Sequence, residues 1–132
     1  MPYETFDIDL REGKAREDAF VHTMLRSRVE HKRDKKAWRT GNVALEMKQR
    51  CRDGSIQPSG VYKESDTFAV EFAPECWVLL PTEYARSLAE KAEREGKCVW
   101  IGDGGNHYNA LVPLEWFVDA KSFHSQTQAV AA

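Results

Sequence analysis

At 132 residues, the chain has room for one domain around one modest core and is too short for two ordinary ones. An apolar share of 42% and a charged share of 30% describe a folding chain. A net charge of −2 excludes a uniformly basic coat, so any polyanion site must come from local clustering.

The start, Met1-Pro2-Tyr3-Glu4, has neither the basic opening nor the apolar run of a signal peptide, and no stretch approaches the roughly 18 apolar residues of a spanning helix. The expectation is a cytoplasmic protein without a membrane span. From Lys14 to Leu25, Ala15, Ala19, Phe20 and Met24 recur on one face after Gly13 and predict a helix. Two alternating segments follow. Val29 to Asp34 carries Glu30, Lys32 and Asp34 at its even positions. Asn42 to Lys48 sets Val43, Leu45 and Met47 against Ala44, Glu46 and Lys48. Period two with one apolar face predicts strands, and the short link from Lys35 to Gly41 predicts that they pair as an antiparallel hairpin.

Turns at Asp53-Gly54 and Pro58-Ser59-Gly60 lead to strands over Thr67–Phe72 and Cys76–Leu80. Thr82 reads as the N-cap of a helix running to about Glu95 and stopped by Gly96; its stripe of Tyr84, Leu88 and Ala92 is core packing. A strand over Lys97–Ile101, a glycine-rich turn from Gly102 to Asn106 and a strand over Tyr108–Val112 follow, and Pro113 opens a last short helix. The turn lacks the Lys-Ser/Thr ending of a P-loop and reads as a hairpin connection. Residues 122–132 are small, polar and without period, and predict a disordered tail after a single domain over 1–121. Cys51, Cys76 and Cys98 are widely spaced and form no CxxC pair, so they predict reduced thiols buried as small hydrophobes. His22, His31, His107 and His124 have no metal-ligand spacing. The fold class is α/β (α+β), a mixed central sheet flanked by helices.

The two paired strands carry the chemistry. With Val43, Leu45 and Met47 buried, Glu46 and Lys48 emerge together on the other face, and Glu30, Lys32 and Asp34 share one face of the neighbouring strand. Crowded carboxylates repel one another and recruit a cation. Mg²⁺ (or Mn²⁺) suits this place, because Mg²⁺ takes one or two carboxylates plus waters and phosphate oxygens. Such an ion polarises a phosphodiester while a lysine steadies developing charge. Glu30, Asp34 and Glu46 are the candidate metal ligands. Arg33, Lys35, Lys36 and Arg39 cluster beside them with Trp38, as a DNA-backbone contact with an aromatic to stack or wedge.

The runs VEHKRDKKAWRTGNVALEMK and PSGVYKESDTFAVEF resemble small phage and bacterial PD-(D/E)xK nucleases, related in fold to archaeal Holliday-junction resolvases and type II restriction enzymes. Glu30, Lys32 and Asp34 match the family's E-x-K-x-D strand, Thr40-Gly41-Asn42 its turn, Glu46 its essential glutamate, and Pro58-Ser59-Gly60 its next turn. Ser65-Asp66-Thr67-Phe68 stands where an A-D-Y-W-like strand begins. The resemblance implies a restriction-endonuclease-like core, a Mg²⁺-dependent cleavage of DNA in phage DNA processing, recombination or repair, and a further glutamate from the first helix, Glu17, with Asp18 in reserve. No Pro-Asp pair precedes the E-x-K. Two assignments of the lysine remain: Lys48 with Glu46, or Lys32.

Two functional classes follow: a metal-dependent endonuclease, acting on both strands as a two-fold dimer, or a catalytically inactive nucleic-acid-binding or protein-interaction module on the same scaffold. A nucleotide cradle at Gly102 to Asn106 is the weaker third.

Overall fold

The computed structural model describes residues 2–118, with side chains from 10 to 117; the tail predicted at 122–132 and His124 lie outside these described residues. Helix α1 spans Pro2–Arg26 and so begins well before the predicted Lys14. Among its described side chains only Met24 is even half-buried, and Leu10, Phe20, Val21 and Leu25 are exposed. Its last turns lie across a shallow hollow from Leu79, Leu80 and Pro81.

Next come strand β1 (Val29–Arg33), short helix α2 (Ala37–Thr40), β2 (Asn42–Arg50), β3 (Ile56–Pro58), and a 3-10 turn at Gly60–Tyr62. Strands β4 (Thr67–Ala73) and β5 (Cys76–Pro81), helix α3 (Thr82–Arg94), β6 (Cys98–Ile101), β7 (His107–Pro113) and helix α4 (Leu114–Val118) complete the order. The class is the α+β arrangement that the periodicities predict. Its strands divide between a mixed sheet, ordered β1-β4-β5, and an antiparallel sheet, ordered β3-β2-β7-β6. No helix among the described residues is long and apolar enough to cross a membrane.

The predicted hairpin between β1 and β2 does not form. β1 pairs in parallel with β4, Val29 beside Thr67 through Arg33 beside Glu71, and β2 pairs with β7 and β3. The link supplies the reason. Ala37 is fully buried, α2 inserts a turn of helix there, and Gly41 closes that turn at a left-handed φ of 75°. Thr40 Oγ1 then accepts the Asn42 N–H, fixing the Thr-Gly-Asn corner. This corner turns β2 out of the plane of β1.

One core joins the two sheets. Val43, Leu45 and Met47 are buried as their alternation requires, together with Ala110 and Val112 from β7 and Phe68, Val70 and Leu80 from the mixed sheet. Helix α3 adds Ala85, Leu88, Ala89 and Ala92, with Tyr84 packed at its margin; burial of Leu88 alone contributes about 1.5–3 kcal/mol. Thr82 is not the N-cap: Pro81 holds that position, and the buried Thr82 hydroxyl bonds that of Ser65 at 2.8 Å. Trp116 and Phe117 on α4 close the core. The cysteines are free thiols, but none is buried; Cys76 is exposed and the other two are intermediate. Each stands at a strand end or loop rather than in the packed interior.

Candidate functional site

Asp34 follows β1 directly and binds two elements at once. Its Oδ1 accepts the Lys36 N–H at 3.0 Å and its Oδ2 accepts the Ala44 N–H at 2.9 Å, while its own N–H donates to Glu71. The carboxylate thus takes the β2 amide that a hairpin partner would have taken. The ends of β1 and β2 meet as a fork with Asp34 at its apex.

Glu46 lies two residues along β2 from Ala44, about 7 Å at strand rise. The turn after β3 backs it closely. Gly60 has φ +58°, and a Cβ there would lie 2.1 Å from the Glu46 carbonyl oxygen, so only glycine fits. This explains the Pro58-Ser59-Gly60 run: Pro58 ends the edge strand, the Ser59 N–H donates to Met47 O, and Gly60 lets the chain pass against Glu46. Ser59 Oγ is buried without a hydrogen-bond partner among the described residues. Glu46 Oε1 in turn meets His107 Nδ1 at 2.5 Å, with both side chains partly exposed. Sequence reasoning missed His107 as a partner. Only the pairing of β2 with β7 brings it to Glu46.

Lys48 does not join Glu46. Between them the ladder shifts by one residue, so Glu46 stands opposite Asn109 and Lys48 opposite Tyr108. Adjacent strand residues point to opposite faces, and the β-bulge therefore separates the predicted pair. Glu46 faces the side of His107 and Asn109. Lys48 faces the other side, with its Nζ 4.5 Å from the Tyr108 ring centroid.

Glu30 and Lys32 lie side by side with Phe68 and Val70 of β4 and share their core-facing side of the sheet, both half-buried at its edge. Glu30 precedes Asp34 by four residues, about 13 Å along an extended strand, so these two acids cannot share one ion. In keeping with this, no group of three or more His, Cys, Asp and Glu side chains among the described residues is close enough to hold a metal. The three-carboxylate cluster predicted from Glu30, Asp34 and Glu46 is therefore not assembled. Asp34 and Glu46 are the two acids tied to one stretch of β2. Glu17 is exposed on α1, nine residues before the helix ends at Arg26, about 14 Å along the axis. Asp18 beside it is likewise exposed, and neither acid makes an ion pair among the described residues.

The basic residues lie in and around α2, a helical turn where the sequence predicts a hairpin link. Lys35, Lys36 and Arg39 are exposed and make no ion pair among the described residues. Arg33 differs: its Nε pairs with Glu71 at 3.1 Å on the outer face of β1. Trp38 is 61% exposed, and the Arg39 guanidinium lies 5.7 Å from its ring centroid. Trp38 also lines a hollow of about 230 Å³ with Arg33, Asp34, Lys35, Glu71 and Pro74. An exposed indole among uncompensated cations can hold a phosphate backbone and present a flat face to a base.

In comparisons with known proteins, no family model, no curated protein and no solved structure matches the chain.

Proposed function

We propose that the chain is a metal-dependent DNA endonuclease of restriction-endonuclease-like type, hydrolysing phosphodiester bonds at the fork between β1 and β2. The reading is carried by one observation: Asp34 bonds the Ala44 amide and so joins the exposed basic apron of α2 to the stretch of β2 that carries Glu46. In this reading Asp34 and Glu46 would hold a Mg²⁺ or Mn²⁺ ion of modest protein demand. Two carboxylates suffice when waters and phosphate oxygens complete the shell, and Glu46 Oε1 alone is engaged by His107, leaving Oε2. When bound, the ion supplies charge for the phosphoryl oxygen and acidifies a water.

The chain's own residues do the remaining work. Lys35, Lys36 and Arg39 hold the DNA backbone and Trp38 stacks or wedges beside it. His107 fixes the orientation of Glu46. Lys32 takes the role of the lysine that steadies charge at phosphorus, because the bulge turns Lys48 to the other side. Cutting both strands calls for two copies about a two-fold axis.

The test is incubation of purified protein with plasmid, linear and branched DNA in Mg²⁺ or Mn²⁺. Glu46→Gln is expected to lower cleavage by about a hundredfold or more, in line with loss of a group that acts at the reacting phosphate. Lys32→Ala is expected to lose turnover while keeping DNA affinity. Cleavage that persists in Glu46→Gln assigns the activity elsewhere.

A second reading has its own support. Both oxygens of Asp34 already accept backbone N–H groups, and no three-ligand group is assembled among the described residues. A non-catalytic DNA-binding module needs neither acid free. Salt-sensitive DNA binding with no product and no metal dependence decides for it.

A further inference from the structure

The bulge that turns Lys48 away from Glu46 turns it into a second place. On that face of the antiparallel sheet, Lys48 and Arg50 lie in register with Pro58 and Ile56 of β3, and Lys48 with Tyr108 of β7, which in turn pairs with Trp100 of β6. A groove of about 350 Å³ opens there, lined by Met47, Lys48, Ile56, Tyr62, Glu93 and Tyr108; Trp100 and Arg50 do not line it but adjoin it, the Trp100 ring centroid 6.0 Å from Lys48 Nζ and 5.1 Å from the Arg50 guanidinium. We propose that this groove binds a nucleotide unit, its base on Trp100 and Tyr108 and its phosphate on Lys48 and Arg50. The inference rests on the nucleic-acid part of the proposed function and adds a site for an unpaired nucleotide on the opposite face of β2.

The groove's chemistry selects this ligand. Its volume is that of a small-ligand pocket. The Trp100 and Tyr108 rings are 5.1 Å apart and tilted by 50°, so they do not stack face to face, and cations rather than a third ring lie over them. Trp100 is 37% exposed and Ile56 49%, more apolar surface than a strand end needs. The Arg50 guanidinium lies 5.1 Å from the Trp100 centroid, and Lys48 lies against Tyr108. Cations over rings repel a second cation and leave an apolar partner with buried charge, but an anionic ligand with a flat ring satisfies both groups. The base takes the ring face, and the displaced guanidinium meets the phosphate.

The far wall supplies acceptors. Tyr108 Oη donates to Glu93 at 2.8 Å and Tyr62 Oη to Glu90 at 2.7 Å. Both hydroxyls are held well above the usual tyrosine range, Tyr108 by its contact with Cys98, partial burial and Glu93, and Tyr62 by burial and Glu90. The tyrosines stay neutral donors, and Glu93, which lines the groove, stays oriented to accept a base N–H group.

The experiment is an NMR titration of the intact protein, following the Trp100 indole N–H assigned with Trp100→Phe. The probes are AMP, a single-stranded homopolymer oligonucleotide, duplex DNA and inorganic phosphate. The Trp100 signal is expected to shift with AMP or the single strand and to stay put with inorganic phosphate. A response to AMP comparable to that of the strand identifies a free nucleotide as ligand, and a response to the strand alone identifies an unpaired segment. Trp100→Ala is expected to weaken that binding about tenfold, as removal of one stacking partner does, while Trp100→Phe retains most of it. A Trp100 signal unmoved by both nucleotide probes overturns the proposal, as does unchanged affinity in Trp100→Ala. The Trp38 signal, followed with duplex DNA, reports the fork separately, so failure of the fork reading leaves the Trp100 result standing and the reverse.

Discussion

Strand β1 is closed by an aspartate at each end, and the two ends differ in what surrounds that aspartate. At the start, Asp66 accepts the Arg28 N–H at 2.9 Å and pairs with the Arg28 side chain, which also meets Glu64 at 2.6 Å. Each of these three charged side chains meets an opposite charge on the protein. At the finish, Asp34 also accepts backbone N–H groups, but Lys35, Lys36 and Arg39 beside it have no acidic partner among the described residues. The same structural device thus anchors a closed charge network at one end and an open one at the other. The open network of one sign lies at the end where the proposed polyanion partner would complete the charge.

The sharpest break in this comparison comes from Gly60, which backs Glu46 at the open end. Gly60→Ala is expected to cost about 3 kcal/mol or more, from left-handed strain of about 1–3 kcal/mol plus overlap with the Glu46 backbone. Urea unfolding measures it; a loss no larger than that of Gly54→Ala, where nothing lies within 4 Å, removes the claimed packing. Next, Asp34→Ala is expected to cost about 2 kcal/mol, within the roughly 1.5–3 kcal/mol of hydrogen bonds to a charged group, because it leaves the partly buried Ala44 amide without its acceptor. Asp66→Ala, at the exposed end, is expected to cost less in the same assay.

The charges divide the ends further. Lys35→Gln with Lys36→Gln is expected to flatten the dependence of DNA affinity on salt by about two in log–log slope, one for each phosphate no longer neutralised. Arg28→Gln is expected to leave that slope as it was, since Arg28 is committed to Glu64 and Asp66. Equal effects of the two changes abolish the distinction between the ends.

The smallest effect is one of pH. The Arg28 N–H and side chain hold the Asp66 carboxyl below its ordinary range. An acid depressed in the folded state adds stability above its unfolded value, near 3.9, and that stability is lost as pH falls through the folded value. The Tm difference between wild type and Asp66→Asn is therefore expected to be largest near neutrality and to close as pH falls below the ordinary aspartate range. A difference that grows in acid reverses the sign of the argument.

Much of the fold was legible because burial writes itself as period. Val43, Leu45 and Met47, and Leu88 with Ala92, announce their strand and helix without help from the rest of the chain. Pairing was not legible. The alternation in Val29–Arg33 tells which residues share a face but not which strand lies alongside, and the partner, β4, lies far along the chain. The four residues of α2 are too few for a helical repeat to be seen. For the candidate site, the Thr40-Gly41-Asn42 and Pro58-Ser59-Gly60 corners drew their weight from the family resemblance, while the basic run around Trp38 could be read directly. The contact of Glu46 with His107 could not, because it exists only in the register of β2 against β7.

Met47 is the surplus residue of the ladder, and its presence changes how a short motif must be interpreted. In an unbroken strand, the layout around Glu46 and Lys48 would be spelled with the two residues adjacent. The spacer lengthens the text without altering which way either side chain points. A search that scores Glu-x-Lys by letter count would rank this chain with enzymes whose acid and lysine converge. One that counts ladder rungs would separate them, and would put Glu46 and Lys48 on opposite faces of a single strand.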